Sequence, residues 1–178
     1  MFSAVAVDIY RPDLWHDFFL MVGGGAAALT GLVFVAMSLN LKVIAEDPTH
    51  RNRAIGTLVG FLAAFVICAL ALMGGQDHQA VGAEWLLVAT LAAAVYVNGY
   101  VQAIRRGGSP VGLGSFRLVF GTGCYVAEVL GALLLLLGFV AGLYIAAVSM
   151  TILLAFTISG AWLLLVGVHQ EDVPPQCG

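Results

Sequence analysis

Charge is what this sequence has least of. Asp, Glu, Lys and Arg make up 10% of its 178 residues, against about 25% in an average soluble domain, too few to cover a globule in water. The few basic residues form no stripe, so nucleic acid is not an expected partner. The net charge of -3 says little by itself. Three cysteines, with no CxxC pair and no haem-attachment signature, argue against a disulfide scaffold and read as small packing groups. The chain holds no Gly-rich phosphate loop with Lys and Ser or Thr, no HExxH, no GxSxG and no evident pair for intramembrane proteolysis. No cofactor is expected. Residues 1–10 contain Asp8 and no basic side chain ahead of an apolar core, unlike a cleaved signal peptide, so the first hydrophobic segment is expected to stay in the protein.

Apolar residues are present in excess, at 61% of the chain with a mean hydropathy of +1.01. The charges gather into short segments between runs of Leu, Val, Ala, Gly and Phe. One long apolar run fits the centre of a soluble protein; several in 18.6 kDa fit only helices that cross a bilayer. The runs lack the inward and outward alternation of a membrane barrel strand. The sequence therefore predicts an all-α polytopic membrane helix bundle with lipids as its surroundings.

Five transmembrane helices are expected, at about 18–41, 54–73, 83–104, 116–138 and 143–168, after an interfacial segment 1–17 and before a short tail 170–178. Pro12 suits a first helical turn leading into span one, and Asp47 with Pro48 reads as a cap and first position for the second helix. Gly74 and Gly75 stop span two. Glu84 is expected in the first turn of span three, with Arg105 and Arg106 at its end, each complementing the helix dipole. From Phe116 to His169 the sequence has no strongly polar loop. One helix of that length would measure about 80 Å, over twice the hydrocarbon thickness, so the chain must reverse near Gly138 and Gly142. Lys42, Arg51, Arg53, Arg105, Arg106 and Arg117 then share one membrane face, with Arg11 on the other. That bias places the amino terminus outside and the carboxyl terminus inside. Trp15 and Trp85 fall near the outer surface and Trp162 toward the inner one, as headgroup anchors or as packing residues.

Glu128 is the most informative side chain. It lies eleven residues beyond Arg117, about 16 Å along a helix and close to the bilayer midplane. A carboxylate there is costly unless it faces water, has a partner or holds a proton. Tyr125, three residues earlier, shares its helix face, with Gly121 and Gly131 nearby. Asn98, in the inner half of span three, is the other strong polar group of an apolar run. Glu128, Tyr125 and Asn98 are therefore the candidate pore or buried polar site. Tyr96, Tyr100, Tyr144, Ser149 and Thr157 add hydroxyls within the spans. Small residues at four-residue spacing, Ala27 with Gly31 and Gly56 with Gly60, mark candidate helix contacts, as do Gly121 and Gly131. The run Gly23, Gly24 and Gly25 should bend span one or admit a close neighbour. Asp13, His16, Asp17, Asp77, His78 and Glu84 share the expected outer face without compact ligand spacing, so no metal site is expected.

The segment Trp15-His16-Asp17-Phe18-Phe19, followed by Ala28-Leu29-Thr30-Gly31-Leu32-Val33-Phe34-Val35-Ala36-Met37-Ser38-Leu39-Asn40, resembles the opening of small bacterial multi-span integral membrane proteins. That resemblance implies a bacterial plasma (inner) membrane and supplies no catalytic residues. Three functions stay open. An oligomer could pass ions, protons or small solutes beside Glu128, with copies of one helix around an axis. A noncatalytic interaction or regulatory subunit of a membrane complex explains the missing motifs equally well. A lipid- or quinone-binding enzyme would use Glu128, Tyr125 and Asn98 beside a lateral cavity, although no reaction is specified. The expected partners are a homo-oligomer or another membrane protein.

Overall fold

The computed structural model of the chain describes residues 12–39, 48–105 and 113–171. Expectations placed on the interfacial residues before Pro12, on Lys42, Glu46, Asp47 and Arg106, and on the tail beyond Glu171 lie outside them. Five helices account for nearly all described residues: α1 Pro12–Leu39, α2 Pro48–Ala71, α3 His78–Arg105, α4 Leu113–Leu136 and α5 Ala141–Glu171. Each contains a stretch long and apolar enough to cross a membrane: Asp13–Leu39, Ala54–Ala71, His78–Gln102, Leu118–Leu136 and Ala141–Trp162. The protein is an all-α bundle of five apolar helices, consistent with a polytopic membrane protein. Helices suit this composition because a lipid-facing backbone must satisfy its N–H and C=O groups within its own segment. Thr30, Ser38 and Thr151 follow the same rule by donating to carbonyls four residues back at 2.7, 2.8 and 2.8 Å.

Local chemistry sets the helix ends. α1 and α2 both begin on proline, whose missing N–H costs nothing in a first turn. Gly75 at φ 81° carries the chain out of the turn after α2. The start of α3 corrects the sequence expectation for Glu84. The Asp77 carboxylate accepts the Ala80 amide at 2.8 Å, so the helix begins at His78 and Glu84 lies beyond its first turn. There the Glu84 carboxylate accepts a hydrogen bond from Gln76 Nε2 at 2.9 Å. The reversal between α4 and α5 is a Schellman motif. Phe139 N–H donates to Leu134 O at 2.9 Å, Gly138 N–H donates to Leu135 O at 2.9 Å, and Gly138 has φ 86°.

α2 contacts α1, α3 and α5, while α4 lies between α3 and α5, so α2 through α5 close into a four-helix unit with α1 outside it. Half of α2's membrane stretch is buried, against 22% for α1. Outward faces carry Leu20, Met21, Leu32, Leu87, Val119, Leu130 and Val148, as lipid-facing surfaces do. Glycines set how closely the inner faces approach. A Cβ on Gly82 would stand 2.7 Å from the Leu136 amide nitrogen, and one on Gly23 would stand 2.8 Å from Cys68 Cβ. α1 runs through Gly23, Gly24 and Gly25 as one helix.

The core has two levels. At the end holding the start of α1 and the α4–α5 turn, Phe19, Ile67, Trp85, Leu135, Leu143 and Met150 are buried together. Trp85 belongs to this core rather than to a headgroup belt: it is 1% exposed and donates its indole N–H to Ile67 O at 3.1 Å. Trp162 is exposed, and Trp15 packs edge-on against Tyr144 at 5.0 Å. Toward the other end, Ala63, Ala92, Cys124, Tyr125 and Leu153 form a second cluster with Tyr96 and Phe156 against it.

Candidate functional site

Glu128 sits where these two levels meet. In α4's stretch Leu118–Leu136 it is about 15 Å from one end and about 12 Å from the other, near mid-membrane depth. Its helix turns it inward, and it is 4% exposed inside its own bundle. Helical side chains lean toward their own amino terminus, which for α4 carries the carboxyl to the level of residues 124 and 125. Cys124 and Tyr125 of α4 and Cys68 of α2 are buried in the same bundle.

Tyr125 is 2% exposed, and its hydroxyl is buried without a hydrogen-bond partner. Burying such a group unpaired costs about 1–3 kcal/mol, which marks the position for explanation. The hydroxyl lies 3.5 Å from where a Gly60 Cβ would stand, and Thr157 Cγ2 would be 2.7 Å from the same point. Gly60 thus clears space for Thr157 of α5, with the α4 phenol at ordinary contact distance beside it. The Thr157 hydroxyl donates back to Leu153 O at 3.0 Å or Leu154 O at 2.8 Å. Thr57, one turn before Gly60, is also buried.

Tyr96 of α3 joins the group. Its ring centroid is 5.3 Å from that of Tyr125. A Cβ on Gly121 would collide with the Tyr96 hydroxyl, and one on Gly56 would lie 3.7 Å from the Tyr96 ring. Gly121 therefore makes room for Tyr96 and Gly60 for Thr157, while a Cβ on Gly56 would meet the Tyr96 ring only at ordinary contact distance; Gly131 lets backbones meet, since its Cβ would be 2.8 Å from the Ala146 nitrogen. Gly31 is exposed with open space around it. Asn98 is exposed as well. It follows Tyr96 by two positions, about 200° around the helix, so α3 cannot turn both toward α4. Chemical strength singles out Asn98 in the sequence, but the helix face selects Tyr96. Its signal is Gly121 on α4, whose missing Cβ leaves the space that the end of the Tyr96 ring occupies.

The polar residues at the ends serve differently. Arg51 and Arg105 are exposed at the end where Asn52 Nδ2 donates to Gly99 O at 3.1 Å, tying α2 to α3. At the opposite end Asp13, His16 and Asp17 line a shallow cleft of about 400 Å³ against Ala71, Leu72, Met73 and Gly74. Among the described residues no three of His, Cys, Asp and Glu are grouped to hold a metal ion.

No protein-family model, curated protein or solved structure matches this chain. The resemblance in the first span therefore assigns no family, and the site is read from its own chemistry.

Proposed function

We propose that the protein passes protons across a membrane through the interior of each subunit, with Glu128 taking up and releasing the proton. The observation that carries this reading is a carboxyl group at mid-membrane depth, buried in one bundle beside a buried phenol that has no partner. An ionisable side chain in that position is expensive and is retained where it serves a pathway. Close backbone approaches at Gly82, Gly131 and Gly142 favour a proton over a hydrated ion or larger solute, since a proton needs only successive hydrogen-bonding groups. The inward direction of Glu128 favours a path within one subunit over a ring of Glu128 side chains around a symmetry axis. The end bearing Arg51 and Arg105 faces the cytoplasm of a bacterial inner membrane in this reading, following the bias of basic residues toward the inside. Labelling of Arg105→Cys from the external medium would contradict it.

The test is purified protein in sealed liposomes with an imposed pH gradient. Native protein should dissipate the gradient, and the isosteric Glu128→Gln should reduce the rate at least about ten-fold. Absence of native flux across varied pH and voltage would refute the proposal.

A second reading, as a noncatalytic partner of another membrane protein or of a second copy, is favoured by the outward face of α1. Gly24 and Gly31 stand there with open space, beside exposed Leu20 and Leu32, a surface to which a neighbouring helix can approach closely. Ala27→Ile with Gly31→Ile should then abolish association in detergent. A native protein that is monomeric and copurifies with nothing would rule this out.

A further inference from the structure

We infer that the protein pairs with a second copy of itself through the outward face of α3, the Asn98 amides of the two copies hydrogen bonding to each other across a two-fold axis along the membrane normal. This contact lies on the outside of the bundle and stands whether or not protons pass through its interior.

Ser38, Thr151 and Ser159 are exposed within the membrane stretches, and their hydroxyls donate to carbonyls of their own helices at 2.8, 2.8 and 2.7 Å. Lipid around them meets no unpaired donor. Asn98 is exposed too, but its amide has two N–H donors and a carbonyl, and none of them is bonded among the described residues. The membrane stretch of α3, His78–Gln102, runs four residues past Asn98, about 6 Å. Helical side chains lean toward their own amino terminus, which for α3 is the opposite end of the bundle, so the amide leans further into the hydrocarbon. Facing acyl chains alone it is costly, and a hydrogen-bonding partner removes that cost.

The surface around Asn98 suits a second helix. Leu87, Leu91, Ala94, Asn98 and Val101 are all exposed. They follow one another at intervals of four, three, four and three residues, the roughly 3.5-residue repeat along which two parallel helices pack. Ala94, one turn from Asn98, is small enough to let two backbones draw close at that level. Inside the bundle α2 and α4 flank α3, and α1 leans on α2 and α5, which leaves this line of side chains open. Arg105 is exposed beyond the membrane stretch, where water and salt screen it from its counterpart.

The occupant is a second copy because an amide is its own complement. Copies inserted with one orientation are related by rotation about the membrane normal, which sets the two α3 helices parallel and brings Asn98 of each to the same depth. Each amide then donates an N–H to the carbonyl of the other, and one symmetric pair serves both. Sliding either helix by a turn would leave both amides unpaired, so a single Asn on an otherwise apolar seam fixes the register. An apolar helix of another protein would leave the Asn98 amide as unpaired as lipid does.

The test uses the full-length chain in lipid vesicles, with Cys177→Ser as the parent and the buried Cys68 and Cys124 left in place. Ala94→Cys should give a disulfide-linked dimer with a membrane-permeant oxidant, and Gly31→Cys, on the outward face of α1, should not. Dimer affinity is read by energy transfer between labelled copies diluted in lipid. It should fall about three- to thirty-fold in Asn98→Leu and stay near the parent value in Asn98→Gln, which keeps the amide. Residue 98 faces outward, so Asn98→Leu should retain the helical circular dichroism and the micellar unfolding midpoint of the parent. The Ala94→Cys result leaves residue 98 untouched and decides by itself if that variant does not fold. A parent chain that stays monomeric in lipid, cross-linking through Gly31→Cys alone, or equal affinity in Asn98→Leu overturns the inference.

Discussion

Gly131→Ala and Gly123→Ala make a matched pair on α4, and their difference tests whether close backbone approach holds the α4–α5 hairpin. Both replace a helical glycine, so both gain about 1 kcal/mol of intrinsic helix preference. Only one adds an atom to a filled space. The new Cβ at Gly131 would stand 2.8 Å from the Ala146 nitrogen, 3.0 Å from Ala146 Cβ and 3.0 Å from Gly142 O, while Gly123 has nothing within 4 Å. Two of those three atoms are backbone, so no side-chain rotation relieves the contact. α5 must withdraw by about 0.6 Å, which forfeits roughly a quarter of the dispersion attraction at each pair along the seam. With about 40 atom pairs at 0.1–0.2 kcal/mol each, the loss is roughly 1–2 kcal/mol. Gly123→Ala should therefore be stabilising by up to about 1 kcal/mol, and Gly131→Ala should lie about 1–2 kcal/mol below it. Reversible unfolding in mixed detergent micelles, scanned by SDS mole fraction and followed by tryptophan fluorescence, gives the comparison. Equal stability of the two variants would refute the packing argument.

Tyr125→Phe removes a buried hydroxyl that has no partner, so stability in the same assay should be unchanged or higher by up to about 1 kcal/mol. A loss above that range would reveal a hydrogen bond to that oxygen. Asp77→Ala removes the acceptor of the Ala80 amide and should cost about 0.5–2 kcal/mol, with Asp77→Asn retaining most of the native value. Amide exchange at the start of α3 should rise in the alanine variant alone, and uniform exchange along the helix would sink the capping account.

Part of the candidate site was legible before any coordinates. Glu128 stands out because a carboxyl in an apolar run is costly wherever it faces, and Tyr125 follows from three-residue spacing on one helix. Tyr96 was less legible because its contact with Tyr125 joins α3 to α4 across 29 positions of sequence. Helical phase excludes Asn98 from the same face only once Tyr96 is known to point inward. Gly56 and Gly31 look alike in sequence, yet one lies beside an aromatic ring and the other meets open space.

What the sequence by itself determined is the solvent and the local backbone. Long apolar runs dictate helices that satisfy their own hydrogen bonds in lipid, and Pro12, Pro48, Asp77, Gly75 and Gly138 mark their ends through bonds spanning a few residues. Only the tertiary structure decided which face of each helix turns inward. All faces are apolar here, so no amphipathic contrast distinguishes lipid from protein, and the choice falls to shape: where glycines let backbones or rings approach. That choice buried Trp85, exposed Asn98, set α1 outside the four-helix unit and enclosed Glu128 within a single bundle.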